Sequence, residues 1–560
     1  MLELRWLDAV VLASYFVLMI GIGFLAARRI KSMDDYYLGG RRFGKVMMIM
    51  YAFGVGTHAD SAVGLAAQTY KLGMAGIWYQ WSQIFNTPIY WLLSPVFRRA
   101  RCVTTADFYE MRYGSSVGIL YGFWGVAINF GYLGVTLYGS ARLIEALTSG
   151  RVPLLWSMVL MTSSFLLYSL IGGMIATVWN EFIQGILTVI MSFVLLPFLW
   201  YAVGGVAGFQ AKIPNADALF RLVAPGEIGL FWILVVSFNQ VVGFGSQPHI
   251  LSNNAAGRTE LDNRVGFCAG VTLKRICSIG WALAGVLAIA YYGRGAVQPD
   301  HVFGSLTRDL LPAGFAGLMI ACIMASVMDN GAVFVLTTSA LFTRNLLRTF
   351  RGGQNPRLEL LVSRLFSVVY VCGSIALAQS FQDVPSAIRF IWALTPMIGI
   401  AFWLGLWWRR ANRFGAWASF LAATSAWAIG LNVFGWTGDA GLPYLISFYS
   451  CAGIGAGVLV SLLTPAESED RLDRFFLTIN TPIGQEDKLH RFEEEARLAT
   501  GSPDMEARFN REYWYRRLVP WKNFEIPRPG PEAIIGFFVV LAVSGALHAF
   551  VLWFCSLFRR

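Results

Sequence analysis

The chain has 560 residues, 56% hydrophobic and only 14% charged, with a formal net charge of +11. A soluble globular protein of that length does not carry so few charges, so the composition reads as an all-α, polytopic membrane protein. The excess of Lys and Arg falls in short loops between apolar segments, where it reports topology and argues against a nucleic-acid partner.

Fourteen apolar segments are each long enough to cross a bilayer. Their expected limits are 7–27, 46–70, 74–97, 117–148, 152–175, 178–203, 228–251, 266–292, 313–346, 358–380, 386–408, 414–437, 443–464 and 533–557. The first lacks a basic leader and ends in Arg28-Arg29, so it reads as a retained helix and not as a cleaved signal. With both termini outside, the inner loops carry most of the Lys and Arg, as expected for a multi-pass protein of the cell (inner or plasma) membrane. The seven cysteines show no CxxC spacing, so neither a disulfide frame nor a zinc site is expected.

Two segments carry matching defects. The second span contains Gly54-Val55-Gly56-Thr57-His58, with Asp60 just beyond; the seventh contains Gly243-Phe244-Gly245-Ser246-Gln247-Pro248-His249. Each is the first of five spans. Broken helices at equivalent positions of two halves point to a transporter site, because unwinding frees carbonyls that lipid cannot satisfy. The competing reading is that these glycines only allow close helix packing.

The stretch from Gly314 to Arg344 is apolar except for Asp329, fifteen residues from either end. At 1.5 Å per residue it sits near the membrane midplane. Asn330 follows it, and Ser326 lies one turn back on the same face. Two readings fit a carboxyl there: a protonated Asp tying two helices together, or a cation or proton site.

From Glu467 to Glu532 the charges alternate at helical spacing, which predicts short amphipathic helices on the inner membrane face. They serve as a tether or a regulatory element, ended by the stiff linker Pro527-Arg528-Pro529-Gly530-Pro531.

The order of several motifs resembles the sodium/solute symporter family over roughly residues 5–465, nearest to its proline-permease-like branch. Asp35-Tyr36-Tyr37-Leu38-Gly39-Gly40-Arg41 resembles its first inner loop, and Thr104 to Gly114 its amphipathic inner loop. Gly172-Gly173 with Val178-Trp179-Asn180-Glu181-Phe182-Ile183-Gln184 resembles the entry to its fifth core helix, usually W-T-D-x-x-Q. Gln247-Pro248-His249-Ile250-Leu251 and Met324 to Asn345 resemble the seventh span and the eighth core helix.

The resemblance implies an inverted five-helix repeat (LeuT-type) core within about 14 transmembrane helices, and alternating access driven by a cation gradient. The implied units are 1–45 (extra helix and loop), 46–203 and 228–408 (the two repeats), 409–464 (two added helices), 465–532 (the amphipathic segment) and 533–560 (the last span). It also implies a cation held by the carbonyls of Gly54, Thr57 and Ala325 and the side chains of Asp329 and Asn330, with Glu181 on the exit path. Solute candidates by family position are His58, Asp60, Gln80, Gln83, Gln240, Phe244, Pro248, Trp392 and Thr395; their amides and aromatics suit a small polar organic solute.

The chain departs from the family pattern at the ion site. Asp and Asn occupy 329 and 330, where two hydroxyl residues are usual. Gly56 stands where the proline-permease branch has an acid, and Glu181 replaces an Asp. Three hypotheses follow: Asp329 is an anionic ligand for Na+, Asp329 cycles a proton with His58 in a relay, or coupling is lost. No cofactor is expected beyond Na+ or H+ as coupling ion.

Other classes fit poorly. Gly39 to Lys45 matches GxxxxGK, but Val46 replaces the needed hydroxyl residue and no strand precedes it. No HExxH or grouped Ser, His and Asp suggests an enzyme. The alternative to a symporter is a non-transporting membrane sensor of the solute, or an uncoupled carrier.

Overall fold

The computed structural model describes residues 6–27, 43–213, 216–347, 356–489, 518 and 523–558. The expected first inner loop at 35–41 and much of the 465–532 segment lie outside these, as do the side chains of 164–177 and of Asp329. Among the described residues the chain is helical, with no strand beyond isolated β-bridges.

In chain order the principal helices are α1 (Trp6–Ala27), α2 (Lys45–Val55), α3 (Ala59–Leu72), α4 (Asn86–Ala100), α5 (Thr105–Tyr113), α6 (Ser115–Leu147) and α7 (Leu154–Val203). There follow α8 (Leu230–Phe244), α9 (Pro248–Ala255), α10 (Glu260–Tyr292), α11 (Phe315–Ala340), α12 (Pro356–Ala378) and α13 (Val384–Trp407). The last four are α14 (Arg413–Asn432), α15 (Gly438–Leu463), α16 (Glu469–Asn480) and α17 (Pro531–Ser556).

Nine of the described helices are long and apolar enough to cross a membrane, by length and composition. The count differs from the expected fourteen because three expected spans are split, 152–175 is fused to the next, and the first, α1, is not among the nine. Span 46–70 is α2 plus α3, and span 228–251 is α8 plus α9, each parted by three residues outside the helices. Span 74–97 is also split, into a 3₁₀ turn at Gly73–Ile77, a single turn at Trp78–Trp81, and α4. Pro88 accounts for the break just before α4: it has no N–H for the Ile84 carbonyl, and its ring clashes with that carbonyl in a continuous helix. Spans 152–175 and 178–203 are instead one continuous run, α7, of 50 residues.

The breaks follow from local chemistry. After Val55 the chain tightens into a turn in which the Thr57 N–H bonds the Gly54 carbonyl (2.8 Å), and His58 then lies extended before α3. In the second break Gln247 is extended, as the residue before a proline prefers. Pro248 then opens α9 at a position where the missing N–H costs nothing.

α11, which carries Asp329, is seated by α1 and α7. The Asp8 carboxylate on α1 accepts the N–H groups of Gly314 (2.7 Å) and Gly317 (2.8 Å), filling donors that an uncapped helix start would leave bare. α2 packs along α10, and α8 along α13, so both broken segments lie against long, intact helices.

The end of the chain folds back onto this core. Arg409, at the end of α13, binds Asp473 (2.7 Å) and Glu469 on α16 and the buried Glu525 (2.9 Å) just before α17. α17 then packs on α4, with Gly536 against the Trp91 indole, where a Cβ has no room. The 465–532 segment is therefore docked where it is described. Arg409→Gln leaves Glu525 and Asp473 without their cation, and breaking a buried pair from one side costs about 3 kcal/mol or more. Thermal unfolding of purified protein checks this: a clear fall in Tm is expected, against little change for the exposed Lys488→Gln.

Candidate functional site

A cavity of about 130 Å³ opens beside the first break, between α2, α3, α8, α10 and α13. Six of the predicted solute residues line it: His58, Asp60, Gln80, Gln83, Gln240 and Trp392. The other three do not. Phe244 stacks on Tyr90 at a 4.1 Å ring separation and packs against Phe267, inside the aromatic cluster below. Pro248 starts α9, and its carbonyl accepts from Thr105 (3.4 Å). Thr395 is buried on α13, where its carbonyl takes the Ser246 hydroxyl from the second break. These three support the cavity but do not face it.

His58 and Asp60 form a pair. His58 Nε2 lies 3.0 Å from the Val55 carbonyl, and Nδ1 lies 3.3 Å from Asp60 Oδ1. A carbonyl can only accept, so Nε2 carries a hydrogen.

Beside the cavity, the second predicted set gathers around Gly54. The Asn330 amide Nδ2 donates to the Ser326 carbonyl (2.7 Å) and to the Gly54 carbonyl (3.3 Å), bridging α11 to the first break. Asn330 is fully buried, and its Oδ1 has no hydrogen-bond partner among the described residues. Ser326 follows the expected Ala325, which is buried on the same helix. Among the described residues the buried Thr57 hydroxyl has no partner, and it faces a second void of about 40 Å³, lined also by Thr188, Ser192 and Ser326. Glu181 is fully buried on α7, with its carboxylate directly against the Gly54 Cα.

Lys274 and Arg275, midway along α10, were missed by the motif reading. The Lys274 ammonium donates to the Gly56 carbonyl at the first break. Arg275 Nη2 donates to Gln83 Oε1 (2.8 Å), and Gln83 Nε2 donates to Gln240 Oε1 (3.3 Å). The signal was present: adjacent basic residues inside an apolar span are a functional-site hypothesis by default.

The comparisons with known proteins agree with this architecture. The sodium:solute symporter family profile matches residues 36–423. The osmoregulated proline transporter of Bacillus subtilis is 25% identical over 482 residues, covering 82% of this chain and 96% of that protein. The sodium/proline symporter of Escherichia coli is 27% identical over 491 residues, covering 82% and 94%. A solved Na+-coupled sialic acid symporter, in a substrate-bound outward-open state, superposes with a TM-score of 0.71 at 18% identity, covering 82% of this chain and 98% of that one.

The close approach at Gly54 generates a prediction. A methyl at 54 runs into the Glu181 carboxylate, whereas one at 56 comes no nearer than 3.3 Å to the Ala52 carbonyl and 3.8 Å to that of Phe53. Overpacking typically costs about 1–3 kcal/mol. Gly54→Ala should therefore lower Tm by several degrees, and Gly56→Ala by clearly less.

Proposed function

This chain belongs to the sodium:solute symporter family, and we propose that its two ligand sets, one around Gly54 and one in the neighbouring cavity, bind the coupling cation and the solute. The protein is a multi-pass membrane transporter, a secondary-active symporter and not an enzyme, and sodium is the coupling ion its family implies. The residue assignments that follow are our reading of the site.

The observation that carries it is the Asn330 amide spanning the Gly54 and Ser326 carbonyls. Rotating that amide by half a turn brings Oδ1 beside the same two carbonyls. Three oxygens then converge where a hard cation prefers them. The Thr57 position, the Ala325–Ser326 turn and Asp329 complete the proposed set, and Glu181 lies on its far side toward the exit path. His58, Asp60, Gln80, Gln83, Gln240 and Trp392 line the proposed solute cavity, which suits a small polar organic solute.

We place the two repeats at 46–203 and 228–408, rocking about this site, with both termini on the outer side. The Lys and Arg bias of the loops supports that orientation.

A second reading, proton coupling, draws on the His58–Asp60 pair, which holds two titratable groups 3.3 Å apart on the cavity wall. Solute accumulation in proteoliposomes under a sodium gradient, then under a pH gradient without sodium, separates the two.

The sodium assignment is checked by unfolding the purified protein in sodium chloride and in choline chloride. At a hundred times the dissociation constant, sodium should stabilise the protein by about 2.7 kcal/mol. Asp329→Ala should fold and lose that increment. An Asp329→Ala protein that keeps the full sodium response removes Asp329 from the site.

A further inference from the structure

The cavity wall carries more positive charge than it neutralises. Lys274 and Arg275 both face it, at about the middle of the 33-residue α10. Among the described residues, neither cation has a carboxylate within ion-pair distance; Asp60, the acid on the cavity wall, is engaged by His58. Asp60 is the one carboxylate among the lining residues, against two basic side chains. Arg275 therefore carries its charge into a site of low dielectric with no carboxylate in ion-pair distance among the described residues, and an uncompensated buried charge is strongly unfavourable.

The donors are also incomplete. Arg275 is 1% exposed, and its terminal nitrogens meet only the neutral amide oxygens of Gln83 (2.8 Å) and Gln80 (3.5 Å). Its Nε–H has no partner. Gln240 is 3% exposed, and its Nε2 likewise has none, although its Oε1 is taken by Gln83. A buried donor left without an acceptor costs the full desolvation of that group. An anion with two oxygens in one plane would accept from Arg275 and Gln240 together, as guanidinium favours.

We propose that the solute is a small organic carboxylate with net negative charge, held by Arg275 with Gln240 and balanced electrostatically by Lys274. The proposal rests on the symporter reading of this cavity and narrows its substrate class. A zwitterion such as an amino acid fits less well, because its ammonium would add to the positive charge of the wall. A neutral sugar would leave Arg275 without an anion.

The test uses full-length protein in nanodiscs at constant sodium. Tm is read with acetate, pyruvate and succinate, and with L-proline, D-glucose, choline and added chloride as the contrasting probes. At least one of the three carboxylates should raise Tm in a saturable way, and the other four probes should not. Arg275→Gln should weaken that carboxylate's apparent affinity at least tenfold. Arg275→Lys should restore part of it, and the sodium-induced rise in Tm should persist in both variants. Because Arg275→Gln removes a buried charge that has no carboxylate partner, its ligand-free Tm should not fall. A response to proline, glucose, choline or chloride with none to the carboxylates overturns the proposal, as does no carboxylate response at all. A carboxylate response undiminished in Arg275→Gln also overturns it. Loss of the sodium response in the unmutated protein would instead count against the underlying symporter reading.

Discussion

Carbonyl groups released inside a membrane must find donors or an ion, and the rest of this molecule is arranged around that constraint. Unwinding at Gly56–His58 frees oxygens that would otherwise accept along the helix. The Gly54 carbonyl meets the Asn330 amide and the Thr57 N–H, and the Gly56 carbonyl meets the Lys274 ammonium. At the second break the Gly243 and Thr395 carbonyls both take the Ser246 hydroxyl. Each break is thus bridged to a helix of another part of the core: α10 and α11 at the first, α13 at the second. Movement of either bundle must exchange these bonds for others, and an ion able to replace the Asn330 hydrogens is one means of doing so.

The same contacts explain why the cavity is where it is. α2 can lie close along α10 because Gly266 and Gly270 leave no side chain between them and Met48, Ala52 and Phe53. That close packing brings Lys274, one helical turn further on, to the first break. Below it, Tyr90, Phe244, Phe267 and Phe97 form an aromatic floor. The polar wall above is built from amides and charges, with Tyr79 and Trp392 packed beside them. The Arg409 clamp ties the end of the chain to the core, where α16 packs on α4 and α5 and α17 on α4 and α10.

Much of this could be read from residues alone, where the signal was local. Glycine-rich interruptions at equivalent positions marked both breaks, since only the backbone chemistry of those few residues is involved. Pro88 was equally local but was overlooked, and the span at 74–97 was drawn unbroken in consequence. The rest depended on how helices rotate against one another. Phe244, Pro248 and Thr395 sit on broken or inward helices, yet they point into packing, because the facing helix fills that side. Gln83 and Gln240 were chosen by family position, and they do meet, 3.3 Å apart across two helices. Lys274 and Arg275 were visible as intramembrane charges, but glycine motifs drew the reading elsewhere.

Equilibrium binding of radioactive sodium to the purified protein, with Asn330→Ala alongside, tests the central claim most directly. The account predicts saturable binding above protein-free nanodiscs, sharply reduced when the Asn330 amide is removed. Absence of saturable binding, or binding that Asn330→Ala leaves unchanged, would contradict the assignment of the Gly54–Ser326–Asn330 oxygens to the cation.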